Sequence, residues 1–313
     1  MNTLRDSLPE YLDLRRSLGF KLEDAALKLP SFVAFVEEHG STHITSALAL
    51  AWAQQSASVQ PAEWARRLGY VRGFARHRSA TDALTEVPPL GLLPHRSTRA
   101  RPYLYSDDEV QRLLDAALML PTTWHSTPLR PWVFHCLFGL LSATGMRISE
   151  ALSLHVADVD LERSLLTIRG AKLGKTRLVP LHATTGRVLA DYLRRREAFC
   201  HQGISPYVFV STTGNRLDQA QVHRTFYALS RQIGLRGPHA SHGPRIHDLR
   251  HRFAVRVLTQ WYQASEDAAR LLPVLSTYIG HARVQDTYWY LSAWPELMAG
   301  AMSRLERRWE VAP

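Results

Sequence analysis

Apolar residues recur at helical spacing along most of the chain. Rough spans of that periodicity run from Pro9 to Leu18, Leu22 to Glu38, Thr45 to Gln55 and Pro61 to His77, punctuated by Gly19, Gly40 and Pro61. The texture changes after Thr85. The stretch Glu86-Val-Pro-Pro-Leu-Gly-Leu-Leu-Pro-His-Arg-Ser-Thr-Arg-Ala-Arg-Pro102 is dense in proline and arginine. Proline removes backbone donors and breaks helices, so this segment reads as a linker. The pattern predicts a helical domain over 1–86, a basic linker over 87–102 and a second domain over 103–313.

In the second domain, Tyr105-Ser-Asp-Asp-Glu-Val-Gln-Arg-Leu-Leu-Asp-Ala-Ala117 predicts a helix with Ser106 or Asp107 as cap. The apolar run Val133 to Leu141 predicts a buried helix stopped at Gly145, followed by an amphipathic turn from Arg147 to Leu154. Two β-prone runs, Ser164 to Arg169 and Arg177 to Leu181, flank Gly170-Ala-Lys-Leu-Gly-Lys-Thr176 and read as a hairpin. Helical texture resumes over Thr185 to Phe199 and Asp218 to Ile233, with Tyr207 to Ser211 a strand candidate between them. A helix to about Gln263, another ending near Gly280 and a last one from Pro295 to Arg308 complete the chain. The expected fold is mainly α with a small antiparallel β-sheet.

Composition narrows the class. The chain has 313 residues, 45% hydrophobic and 21% charged, an ordinary globular balance. No apolar run approaches the roughly 20 residues that span a bilayer, and Met1-Asn-Thr-Leu-Arg-Asp6 lacks the apolar core of a secretory signal, so a cytoplasmic protein is expected. Thirty-eight Lys and Arg against 28 Asp and Glu give a net charge of +10, a field that attracts polyanions. The basic cluster between Arg66 and Arg78, interleaved with Tyr70 and Phe74, is either a solvated helix face or a phosphate-contacting helix. Two cysteines, Cys136 and Cys200, support neither a disulfide framework nor a four-cysteine zinc site.

Candidate chemistry concentrates in four segments. Pro244-Arg-Ile-His-Asp-Leu-Arg-His-Arg-Phe-Ala254 puts His247 and Arg250 three residues apart, on one helix face, beside an apolar stripe of Ile246, Leu249, Phe253 and Val257. A guanidinium grips two phosphate oxygens and a histidine titrates near neutrality, so the pair suits an anionic substrate. The other three are Ala143-Thr-Gly-Met-Arg-Ile-Ser-Glu150, the lysine hairpin, and Ile279-Gly-His-Ala-Arg-Val-Gln-Asp-Thr-Tyr-Trp-Tyr290. Taken singly, each has a plain structural explanation: a surface Arg147, solvated Lys172 and Lys175, a helix-ending His281, packed Tyr288 and Tyr290.

Together and in this order, the segments resemble the catalytic domain of tyrosine site-specific recombinases, the phage-integrase family, over roughly Arg101 to Trp309. The basic, helical N-terminal part is similar to that family's core-binding domain. The resemblance places the family's catalytic residues on Arg147, Lys172, His247, Arg250, His281 and Tyr290, with Glu150 in support. It implies that Tyr290 attacks a DNA phosphodiester to give a 3′-phosphotyrosine, that Arg147 and Arg250 neutralise the added charge, and that His247 and His281 hydrogen-bond the phosphate oxygens. Lys172 would protonate the leaving 5′-oxygen. The hairpin reads Ala171-Lys172-Leu173 where the family commonly has Gly-Lys-Gly, and Lys175 stays an alternative. Tyr288 is the rival nucleophile, and the nine-residue spacing from His281 selects Tyr290.

The resemblance further implies strand exchange through a Holliday junction by a tetramer on double-stranded DNA, a C-shaped clamp around the duplex, and no need for ATP, metal or other cofactor. The segment Tyr288 to Leu297 is similar to recombinases of transposon-like elements that carry several such genes together. The stripe Leu297, Ala301, Leu305 and Trp309 either docks on a neighbour or packs within the chain. Two other functions fit parts of the sequence. A DNA-binding accessory protein without catalysis is opposed by a competent residue at every signature position. A zinc metallohydrolase is raised by the i, i+4 spacing of His247 and His251 and opposed by Asp248, where the zinc motif has Glu.

Overall fold

The computed structural model describes residues 3–55, 60–93, 101–122, 128–170, 176–199, 205–264, 267–281, 283–293 and 302. The chain divides into two compact units, Met1–Ala100 and Arg101–Pro313. Among the described residues, no helix is long and apolar enough to cross a membrane.

The first unit packs α1 (Leu4–Ser17), α2 (Glu23–Glu38), α3 (Ser46–Gln54) and α4 (Pro61–Arg78) around Leu29, Phe32, Val36, Trp52, Leu68 and Phe74. Helix α1 starts earlier than the apolar periodicity predicts. Thr3 and Asp6 form a capping box, so four residues with little apolar pattern are recruited before Leu8 and Pro9. The basic cluster of α4 is largely engaged. Arg66 pairs with Glu63 and Asp24, Arg67 lies over the Trp52 ring, and Arg78 is buried and donates to Ser7 Oγ. Arg72 donates to the carbonyls of Pro88 and Pro89, and Leu93 packs on the core, which fastens the start of the proline-rich segment to this unit.

The second unit holds helices α5 (Asp107–Leu118), α6 (Arg130–Thr144), α7 (Ile148–Leu152), α8 (Ala183–Phe199), α9 (Gln219–Gln232), α10 (Ile246–Gln263), α11 (Ala268–Ile279) and α12 (Gln285–Ala293). Ser106 is the cap of α5, closed by Glu109 in a capping box. Helix α6 is apolar nearly all round, which makes it the centre of the core: Leu137 and Phe138 are fully buried, and Phe138 meets Phe226 of α9 edge-on at 5.7 Å. Cys136 is packed there as well.

The hairpin forms as expected, between β2 (Leu165–Ile168) and β3 (Arg177–Pro180), and a short β1 (Val159–Asp160) adds an edge. The sheet is antiparallel in the order β1-β2-β3, with Leu166 opposite both Val159 and Val179. Tyr207 to Ser211 makes isolated bridges, His155 with Tyr207 and Val210 with Arg216, and is no strand: its apolar residues, Val208 to Val210, are buried in the helical core with no sheet to extend. The predicted helix from Pro295 to Arg308 lies outside the described residues, Met302 aside.

Phe226→Ala is expected to destabilise the second unit by about 3–5 kcal/mol through the cavity it opens beneath α6. A lower urea midpoint with an unchanged native far-UV spectrum is the measurement.

Candidate active site

Helix α10 is fixed at its first turn. The Asp248 carboxylate is buried and accepts from the Arg245 backbone amide at 2.9 Å and from Arg245 Nη2 at 2.8 Å, while Tyr105 donates to the Arg245 carbonyl. Asp248 is thus a helix cap committed to Arg245, which removes the acid that a metallohydrolase reading needs. Ile246 and Leu249 anchor the inner face in the core, with Phe253 and Val257 partly buried. Among the described residues, no group of three or more His, Cys, Asp or Glu is arranged to hold a metal ion.

Arg250 is 2% exposed. Its Nη1 donates to the Gly145 carbonyl at 2.8 Å, whereas its buried Nη2 has no hydrogen-bond partner among the described residues. The Thr144-Gly145 turn explains itself in that contact. Gly145 ends α6 at φ +61°, and a Cβ there would meet Phe253 Cδ1 at 2.5 Å, so only glycine lets the turn approach α10 closely enough to present its carbonyl. Burial, and then the neighbouring Arg147, push the Arg250 pKa down to about 10. An isolated buried donor next to a second cation is a site prepared for an anion.

Arg147 caps α7. Its Nη1 donates to Glu150 Oε1 at 2.8 Å and its Nη2 to the Gly280 carbonyl at 2.8 Å. Glu150 is shared. Arg177, at the head of β3, donates to both of its oxygens at 3.0 and 2.8 Å and to the Tyr278 carbonyl at 2.8 Å. Gly280, at φ +70°, has no room for a Cβ, which would sit 2.8 Å from Arg177 Nη1. Burial alone would raise the Glu150 pKa. The Arg177 hydrogen bonds, the Arg147 amide and both positive charges outweigh it, and the value falls below the ordinary 4.5.

His247 opens onto the surface with packed protein behind it. That desolvation, and then the charge of Arg250, lower its pKa to about 4; Asp248 opposes them, and Arg245 and Arg147 add smaller downward pushes. His281 Nδ1 lies 2.8 Å from Thr287 Oγ1. Tyr290, on α12, is 1% exposed. Its ring is parallel to that of His281 at 6.1 Å, and its Oη lies 3.2 Å from His251 Nδ1. Tyr288 is 49% exposed on the same helix. Helical geometry separates the two by about 200°, so only one of them can turn inward.

Five of the predicted residues, Arg147, Glu150, His247, Arg250 and Tyr290, are therefore linked by hydrogen bonds or by mutual electrostatic effect, and His281 stacks on Tyr290. Lys172 and Lys175 fall in 171–175, outside the described residues, between β2 and β3 in sequence. Two engaged residues, Arg177 and Thr287, escaped sequence reasoning, and His251 entered it only as the second histidine of the zinc reading. Arg177 carried a usable signal. It alternates in register with Val179 and Leu181, so a cation shares the inward side of a strand, where an unpaired charge is not tolerated.

Comparison with known proteins adds independent findings. The phage integrase family profile matches residues 104–296. A protein of Sinorhizobium fredii (strain NBRC 101917 / NGR234) that carries the name integrase/recombinase y4rB is 58% identical over 311 residues, 99% of each chain. The tyrosine recombinase XerD of Caulobacter vibrioides is 31% identical over 236 residues, 74% of this chain and 71% of its own. Among solved structures, a lambda integrase tetramer bound to a Holliday junction shares the fold at a TM-score of 0.58 and 18% identity, covering 90% of this chain and 78% of that one.

Glu150→Gln is expected to erase an acid-dependent part of stability. Because the folded pKa of Glu150 lies below 4.5, its contribution is full above 4.5 and is lost as pH falls through the lower folded value. Urea unfolding across that range should show the wild type losing its advantage over the variant as pH drops.

Proposed function

The chain belongs to the phage integrase family, and from that footing we propose that it is a site-specific tyrosine recombinase that cuts and rejoins DNA strands through Tyr290. The observation that carries the reading is the convergence of Arg147, Arg250 and His247 beside a tyrosine, with one buried guanidinium nitrogen left open.

The chemistry follows from the charges. Attack by the phenol oxygen on a phosphodiester places extra negative charge on the nonbridging oxygens. Arg250 Nη2 and the Arg147 guanidinium stand ready for it without reorganisation, because their other nitrogens are already fixed by Gly145, Glu150 and Gly280. His247 donates to the same oxygens from the exposed side, and His281 is assigned to them as well. The phenol proton passes to His247 or His281, the Tyr290 oxygen forms a bond to phosphorus, and the bond to the 5′-oxygen breaks. That leaving oxygen takes a proton from Lys172, or from Lys175 as the alternative. The product is a 3′-phosphotyrosine and a free 5′-hydroxyl, a transesterification of the type IB topoisomerase kind. The covalent bond conserves the energy of the broken one, so a second 5′-hydroxyl reseals it.

Two such exchanges pass through a Holliday junction, which calls for four active sites on two duplexes, supplied by a homo- or hetero-tetramer. The first unit, with its α4 cations, is assigned to the core-binding role on double-stranded DNA, and the basic segment between the units to tracking the backbone. The stripe from Leu297 to Trp309 either docks on a neighbouring protomer or packs within its own chain.

On a nicked duplex carrying the site that this protein selects from a random library, the wild type is expected to form a covalent protein–DNA adduct and Tyr290→Phe none. Arg250→Ala should bind the duplex yet form adduct about 10²–10³-fold more slowly. Equal loss of binding and adduct would show that Arg250 mainly positions DNA. His247 gives a pH test. Its free pKa of about 4 rises beside a phosphate, so binding takes up protons. Affinity should strengthen as pH falls from about 8 through the bound-state pKa and level off below about 4. Fluorescence anisotropy on wild type and His247→Gln should show this increment in the wild type alone.

A further inference from the structure

Helix α10 carries one more residue at the site than the phosphate ligands require. His251 is 4% exposed, directly after Arg250 in the chain, and its Nδ1 lies 3.2 Å from the buried Tyr290 hydroxyl. Its ring is fixed on several sides. His247 meets it edge-on at 4.8 Å and 88°, and Trp289 and Tyr290 each tilt against it at 5.5 Å. A neutral imidazole has one donor and one acceptor nitrogen, and a phenol is the stronger donor of the pair. A buried hydroxyl without such an acceptor would forfeit its solvation.

We propose that His251 is a positioning residue for strand cleavage, accepting the Tyr290 Oη–H hydrogen bond at Nδ1 and so fixing the approach of the nucleophile to the phosphate. The proposal rests on the reading of Tyr290 as nucleophile. Its strength lies in the shared scaffold. Arg250 reaches the Gly145 carbonyl and His251 reaches the Tyr290 hydroxyl from adjacent positions on one rigid helix. A phenol tethered only by its own backbone rotates and swings about two torsions. Referenced to α10, its oxygen is held at a set separation from the cation that grips the phosphate. Orientation of this kind is worth large factors in rate, and a misplacement of about 1 Å costs about a hundredfold.

The remaining explanation for His251 is packing alone. It fills space between His247, Trp289 and Tyr290, and any residue of like volume would then serve. Replacement by asparagine separates the two roles, because its amide oxygen stands near the Nδ1 position and accepts the same hydrogen bond without the imidazole's bulk. Leucine does the opposite, filling the space with no acceptor.

The experiment uses the full chain and a nicked duplex carrying the site selected from a random library, with duplex affinity, thermal midpoint and single-turnover adduct rate measured side by side. His251→Leu is expected to bind DNA with wild-type affinity and form adduct about a hundredfold more slowly. His251→Asn should recover to within about tenfold of wild type. A wild-type adduct rate in His251→Leu overturns the proposal. So does a His251→Asn rate as low as that of His251→Leu when both bind DNA normally. If leucine abolishes DNA binding, the asparagine variant decides: a rate within about tenfold of wild type supports the proposal, and a slower one overturns it. Tyr290→Phe runs in parallel. Adduct formed by that variant would sink the reading of Tyr290 itself, a failure distinct from either outcome at His251.

Discussion

A single buried carboxylate, that of Glu150, joins segments that lie far apart in the chain. It accepts from Arg147 at the start of α7 and from both ends of the Arg177 guanidinium on β3, and those two cations extend to the carbonyls of Gly280 and Tyr278. Removing the acid would leave two guanidiniums facing each other in a partly dry space without their shared anion. The clamp also explains Gly280, because two guanidiniums crowd the place where a Cβ would stand. His281 follows directly, so the clamp sets where the chain carrying the histidine and Tyr290 leaves α11.

The second organising element is the angular arithmetic of α10. Successive residues turn by about 100°, so Arg250 and His251 fall on either side of His247, about 60° and 40° away. One flank reaches the Gly145 carbonyl and the other reaches Tyr290, with His247 facing outward between them. A five-residue stretch therefore addresses the Gly145 carbonyl, the Tyr290 hydroxyl and solvent at once. Asp248 and Leu249, the residues in between, point into the protein and hold the helix still.

What was legible beforehand is what local rules govern. The Gly145 stop, the Ser106 cap and the hairpin of β2 and β3 follow from spacing and from single-residue conformational preference. Arg147 and Glu150 sit three apart on one short helix, and their contact is local too. Arg177, and the contact of His251 with Tyr290, were missed because the partners lie 27 and 39 residues away, and no periodicity reports a partner at that range. Tyr207 to Ser211 misled for the converse reason. Its composition suits a strand, but a strand needs a neighbour with free backbone groups, and the three-stranded sheet lies elsewhere.

Charge accounts for why such an assembly would catalyse transfer to phosphorus and not merely hold an anion. Arg147, Arg177, Arg250 and the surrounding Arg245 outnumber Glu150 and Asp248, and both Arg250 and His247 have lowered pKa values as a result of burial and this crowding. The site is therefore destabilised when empty and relieved by negative charge. A ground-state phosphodiester carries one such charge. The attacking phenolate and the five-coordinate phosphorus together carry more, and the Tyr290 anion acts on Arg250 in the favourable direction. The same excess of cations thus gains more from the transition state than from the bound substrate, and that difference, not the affinity for DNA, is what lowers a barrier.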